Sequence, residues 1–245
     1  MGVYRVRVIV PLAGPEGEVE REFKEFKNLI EVYDKPLIKY IAEKRPYDLK
    51  KAAFILLNET DKKYHIAKRL RGILGKKIEI FILDKQTEGA PCSVKVYLEE
   101  RGSKEDILID LLDQHLELGG DFIRFIKSNR VKVKGIIPTF KSRYWKWSYV
   151  RLDKHGFVKE VQEKVNPPIS DNATAGVYYF SSAKDFISAT DEMVRLDKRV
   201  KFNNKFFVSC VYNEFPRHSV ISYPTNIICP LGSVEGIKLF KQIAW

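Results

Sequence analysis

Lys85–Val94 reads KQTEGAPCSV; it follows an apolar run, Ile78–Leu83, with the length of a buried strand, and leads into a helix-like stretch. A glycine beside a carboxylate at the carboxyl end of such a strand sits where open α/β sheets gather their ligands. Thr87, Glu88 and Gly89 therefore form the first candidate, with Gly89 allowing close approach to the backbone because no Cβ intrudes. Two further segments share this character. Asp113 follows the apolar run Ile107–Leu112, and Glu163-Lys164 closes a hairpin-like stretch. Together the three point to a nucleotide site.

The elements that must position these residues are legible as apolar periodicity. Strand-like runs recur at Val6–Pro11, Ala53–Leu57, Ile78–Leu83 and Ile107–Leu112. Between them lie helix patterns, one with Leu37, Ile38, Tyr40 and Ile41, another with Tyr64, Ala67, Leu70 and Leu74 that stops at Gly75. A β-α-β-α-β order predicts a mostly parallel sheet. Further on, Trp147–Leu152 and Phe157–Val161 flank Asp153-Lys154-His155-Gly156, a hairpin signature. Thr174–Phe180 reads as one strand, Ser182–Leu196 as a helix, Ser219–Tyr223 and Asn226–Pro230 as short strands, and Val234–Ile243 as a closing helix. No repeat or low-complexity linker divides the chain.

Composition bounds the remaining options. The 245 residues are 44% hydrophobic, enough for a well-buried core. The net charge of +11 invites a nucleic-acid partner, but Lys and Arg are scattered among acids without the clustered stripe that tracks a phosphate backbone. A positive field that concentrates small polyanions is the milder account. Cys92, Cys210 and Cys229 are odd in number and far apart, which supports neither a disulfide framework nor a zinc knuckle. The opening MGVYRVRVIV fits no signal peptide, membrane span or myristoylation site, so the expected location is the cytoplasm.

The sequence resembles the sugar-phosphate nucleotidylyltransferases in segments that follow that family's order over nearly the whole chain. VIVPLAG is similar to the first strand and the start of the phosphate loop, and FKNLIEVYDKPLIKYIA resembles PKPLIEVNGKPMI. TEGAPCSV resembles TEGAACTV, and ILIDLLDQHLE the strand that ends in a metal-binding aspartate. WSYVRLDKHGFVKEVQEK resembles the hairpin that ends in Glu-Lys, and TAGVYYF the glycine-aromatic strand under the sugar. The resemblance implies an α/β fold: a Rossmann-like, mostly parallel sheet flanked by helices, with a mixed-sheet sugar-binding lobe. It implies one domain over 1–245, with a nucleotide-binding half (1–125) and an acceptor-binding half (126–245).

The implied reaction joins a nucleoside triphosphate to a sugar 1-phosphate or similar small phosphate and releases pyrophosphate. Such chemistry asks for positioning and charge neutralisation rather than a nucleophilic side chain. The resemblance assigns Asp113 to Mg²⁺, with Asn213 as the candidate second ligand, and Lys27 and Arg21 to the phosphates. Ala13, Gly14, Thr87, Glu88 and Gly89 fall to the nucleotide. Trp147, Glu163, Lys164 and Gly176 fall to the acceptor, the lysine at its phosphate and the glutamate at its hydroxyls. Plainer readings stand beside these: a strand-end cap at Asp113, a turn residue or cap at Asn213, an exposed pair at Glu163-Lys164, and a tight place in the sheet at Gly176. A homo-oligomer stays open.

One segment departs from the family pattern. After Gly14 the chain reads PEGEVEREFKEFKN, with Glu16, Glu18, Glu20, Glu22 and Glu25 where a phosphate cradle should be neutral or positive, and with Phe26 and Asn28 flanking Lys27. Carboxylates facing a triphosphate repel it unless they point outward or bind metal. A non-catalytic relative acting as a regulatory or partner subunit is therefore the alternative. A nucleotide-sugar-dependent glycosyltransferase ranks third, because the segment at Asp113, Gln114 and His115 lacks a DxD pair.

Overall fold

Alternation within VRVIVPL sets the layering of the fold: Val8, Val10 and Leu12 enter one core and Ile9 the other, as a two-residue period requires. The computed structural model describes residues 6–15 and 17–243, so the expectations placed on residues 1–5 and on Glu16 lie outside the described residues. The strands are β1 (Val6–Leu12), β2 (Glu31–Val32), β3 (Lys35–Pro36), β4 (Ala53–Leu57), β5 (Glu79–Leu83), β6 (Asp106–Asp110) and β7 (Gln114–Glu117). They continue with β8 (Gly135–Lys141), β9 (Ser148–Leu152), β10 (Val158–Glu163), β11 (Asn172–Thr174), β12 (Val177–Phe180), β13 (Val220–Pro224) and β14 (Asn226–Pro230). The helices are α1 (Glu18–Phe23), α2 (Leu37–Lys44), α3 (Asn58–Tyr64), α4 (Ile66–Leu74), α5 (Ala90–Arg101), α6 (Phe122–Asn129), α7 (Ala183–Arg195) and α8 (Val234–Gln242).

One ten-stranded sheet runs in the order β10-β9-β11-β8-β12-β6-β1-β4-β5, with β13 added beside β8. Its β6-β1-β4-β5 part is wholly parallel. From β12 onward the pairing is antiparallel, except for the parallel pair of β13 and β8. The mixed part thus continues the parallel sheet instead of forming a separate layer. Apolar residues of α2, α4 and α6 cover one face, with Leu37, Leu70 and Phe122 fully buried. Tyr97 of α5 with Phe186 and Met193 of α7 cover the other.

Three expectations about elements are corrected. The pattern through Tyr64 and Leu74 is two helices, because His65 takes a left-handed conformation (φ 53°) and Asp61 Oδ1 accepts the Ala67 N–H to start the second. Thr174–Phe180 is two strands, parted at Gly176 (φ 70°). The run at Ile107–Leu112 ends as a strand at Asp110, because Leu112 is left-handed (φ 50°). Among the described residues no helix is long and apolar enough to cross a membrane.

Candidate active site

The chain leaves β1 for β4 and β5 on one side and places β6 on the other, so the sheet's switch point lies between the carboxyl ends of β1 and β6. Ala13 and Gly14 follow β1 there, and Leu111–Asp113 follow β6. Ala13 is buried; Gly14 is exposed, with open space where a side chain would project. Lys27 begins a short 3₁₀ turn, Lys27–Leu29, that reaches the same point. The fully buried Asn28 donates from Nδ2 to the Leu112 carbonyl at 3.2 Å, which stitches this turn to the end of β6.

Asp113 is held by its backbone. Its carbonyl accepts the Leu231 N–H at 2.7 Å, and the neighbouring Leu111 N–H bonds to the Gly176 carbonyl at 3.0 Å. Burial pushes the Asp113 carboxyl above the ordinary carboxylate range; Lys27 and Lys164 pull against this and the Asp110 charge adds to it. A Cβ at Gly176 would lie 2.6 Å from Asp113 Oδ1, so the glycine both permits φ 70° and makes room for the Asp113 carboxylate itself.

Asp113 and Gly176 line a cavity of about 350 Å³ shared with Trp147, Glu163, Lys164, Tyr178 and the start of α8 at Gly232–Ser233. The Glu-Lys pair is not an exposed strand pair. Glu163 is buried, accepting from Ser209 Oγ at 2.8 Å and from Lys164 Nζ at 2.8 Å. Lys164 also lies 4.3 Å from the centre of the Phe207 ring, a distance at which the ring face attracts a cation. Trp147 stands edge-on to Phe140 at 5.5 Å, and Tyr144 lines the mouth.

Other sequence candidates lie outside this cavity's lining. At Gly89 (φ 146°), a Cβ would meet the Phe206 carbonyl oxygen at 2.1 Å, so the glycine is required by the chain's own backbone. Thr87 Oγ1 donates to the Gly89 carbonyl at 2.9 Å, the Glu88 carbonyl accepts the Phe206 N–H, and the Glu88 carboxylate pairs with Arg199. Arg21 is exposed on α1. Asn213 is corrected as a metal-ligand candidate: Oδ1 accepts the Val161 N–H and Nδ2 donates to the Val161 carbonyl, both at 2.8 Å, so its amide ties Ser209–Glu214 to β10.

Within the acidic segment Glu18–Phe23 forms α1, and the carboxylates of Glu20, Glu22 and Glu25 have protein partners. Glu20 accepts from the Gly17 and Lys27 N–H groups, Glu22 pairs with Lys238, and Glu25 takes both ends of the Arg69 guanidinium at 2.8 Å. Glu18 is exposed. Sequence reasoning missed Asn28 and Ser209 as supports of the site, as well as Arg45 and Tyr47, whose side chains meet Asp110 behind β6. A buried polar side chain in an apolar stretch was the available signal for Asn28, and nothing in the sequence marks its partner 84 residues away.

Among the described residues no group of three or more His, Cys, Asp or Glu side chains converges as a ready-made metal cage. Mg²⁺ does not require one, since it binds through one or two carboxylates together with substrate phosphates and retained waters. The hard oxygens of Asp113, which lines the cavity, fit that mode.

No family model and no curated protein sequence matches the chain. Solved structures do. A nucleoside-diphosphate-sugar pyrophosphorylase from Vibrio cholerae RC9 superposes with a TM-score of 0.74 at 18% identity, covering 96% of this chain and 100% of that one. A UDP-glucose pyrophosphorylase complexed with UDP-glucose gives 0.71 at 17% identity, with 97% of each chain covered. HddC from Yersinia pseudotuberculosis gives 0.67 at 14% identity, covering 97% of this chain and 99% of that one. With likeness spread over the full length of each, the chain has the nucleotide-diphospho-sugar transferase fold.

Proposed function

We propose that the chain is a nucleotidylyltransferase that joins a nucleoside triphosphate to a sugar 1-phosphate or similar small phosphate in the cytoplasm, supplying precursors for surface polysaccharide or glycoconjugate. The observation that carries this reading is the convergence of Asp113, Glu163, Lys164 and Gly176 on one cavity at the sheet's switch point, to which the Asn28 bond to Leu112 ties the turn that begins with Lys27. The acceptor's phosphate oxygen forms the new bond to the α-phosphorus as the bond to the pyrophosphate oxygen breaks, in line. Lys27 neutralises charge on the phosphates, and Gly14 allows the triphosphate close to the backbone. Lys164 binds the acceptor's phosphate, Glu163 accepts from its hydroxyls, and Trp147 walls the ring. Asp113 would hold Mg²⁺, which when bound draws the triphosphate's negative charge onto itself and leaves the α-phosphorus open to attack.

The pairing of Glu20, Glu22 and Glu25 with protein donors weakens the case for a non-catalytic relative, which rested on the acidic loop. The test is pyrophosphate release over a matrix of the four common ribonucleoside triphosphates, thymidine triphosphate and a panel of phosphorylated acceptors. Release with at least one pair is expected. Absence of binding by every triphosphate with Mg²⁺ present, read calorimetrically, overturns the reading.

A further inference from the structure

The segment that presents Asp113 is clamped from behind. Leu112 holds a left-handed conformation that a β-carbon disfavours, and its N–H is taken by Asp110 Oδ1 at 2.9 Å. Asp110, 1% exposed, is gripped in turn: Arg45 Nε donates to Oδ2 at 2.7 Å, Arg45 Nη2 lies 3.4 Å from Oδ1, and Tyr47 Oη donates to Oδ2 at 2.7 Å. The same Nη2 donates to the Gln114 carbonyl at 3.1 Å. One guanidinium therefore holds both ends of the stretch from Asp110 to Gln114, with Asp113 inside it.

Stability alone does not account for this arrangement. A buried ion pair is often replaced by apolar residues of similar volume with no loss, or a gain, of stability. A rigid planar fork that binds a carboxylate and a carbonyl at once instead fixes geometry. We infer that Arg45, aided by Tyr47, is a positioning residue that sets the direction of the Asp113 carboxylate toward the metal and the phosphates. The inference rests on the reading of Asp113 as the metal-holding acid.

The test uses Mn²⁺ as the probe, with binding followed by electron paramagnetic resonance and turnover by pyrophosphate release. Two variants are compared with wild type and with Asp113→Asn. The double variant Arg45→Met with Asp110→Leu removes both charges together, so no uncompensated ion is left behind, and only the neutral Leu112 N–H, Tyr47 hydroxyl and Gln114 carbonyl lose a partner. Arg45→Lys keeps the charge near Asp110 but gives up the fork. Both should bind Mn²⁺ roughly 10- to 100-fold more weakly, as loss of an outer support does elsewhere. Turnover should fall with it, while the acceptor's KM holds. Wild-type Mn²⁺ affinity and turnover in either folded variant overturn the inference, and so does failure of both variants to fold, which would make the clamp a folding element. If wild type binds no Mn²⁺ that Asp113→Asn abolishes, the assignment of Asp113 fails first and the inference falls with it.

Discussion

Asp110 and Asp113 lie three residues apart and occupy opposite kinds of place. Behind β6, Asp110 is surrounded by donors: Arg45, Tyr47 and the Leu112 N–H. In front of it, Asp113 meets a cavity, fixed by its backbone and influenced by Lys27 and Lys164 only through their charge. One carboxylate is gripped by side chains and backbone on every side; the other lines a cavity.

The comparison is broken most directly by removing Asp110. Asp110→Ala leaves the Arg45 guanidinium buried and uncompensated, with an expected loss of about 3–5 kcal/mol in urea unfolding. A loss below about 1 kcal/mol would mean that the clamp is not a buried charge pair in solution. Asp113→Asn should do the reverse. Turnover falls by roughly 100-fold or more, the scale for loss of one charge-stabilising group. The melting temperature holds or rises, because burial already disfavours the ionised carboxyl. A fall in stability without loss of turnover would return Asp113 to a capping role.

Gly176→Ala sharpens the same contrast. The added Cβ is strained at φ 70° and lies 2.6 Å from Asp113 Oδ1, so stability should drop by on the order of 1–3 kcal/mol and turnover should drop with it. Wild-type kinetics in this variant would show that the room made for the carboxylate is idle. The smallest effect is expected at Lys164. Lys164→Ala should raise the acceptor's KM several-fold while leaving the triphosphate's KM in place, because the lost contact belongs to one substrate. Equal rises in both constants would place the lysine with the nucleotide or with the general field of the site.

Much of the parallel half was legible because its strands are short apolar runs, with β4 buried on both faces and matching its sequence reading end for end. β8 was missed because Pro138 interrupts the run, and proline argues against a central strand. At the site, Asp113, Gly176 and the Glu-Lys pair, each named from a sequence motif, line one cavity. The clamp was illegible for a simple reason. Arg45 and Asp110 are 65 residues apart, and neither has a local pattern that names the other. Asn213 failed as a ligand candidate for the same kind of reason, since its partner is the backbone of Val161, 52 residues away. Periodicity reports which face of an element is buried, and says little about which polar group waits there.

The unbroken sheet has a consequence for shape. Asp113 follows β6 and Lys164 follows β10, and five strand spacings separate those strands. Laid flat, that is roughly 24 Å. Both residues nevertheless line one small chamber, so the mixed end must coil back over the switch point. The break at Gly176 and the register shift between Val158 and Glu160 are two places where the ladder can bend. The chamber's width is therefore a property of sheet curvature, set when the chain folds and shared by many hydrogen bonds of one continuous ladder. What varies the chamber's contents is then left to the side chains and to the rim around Tyr144, on a frame that acts as a gauge.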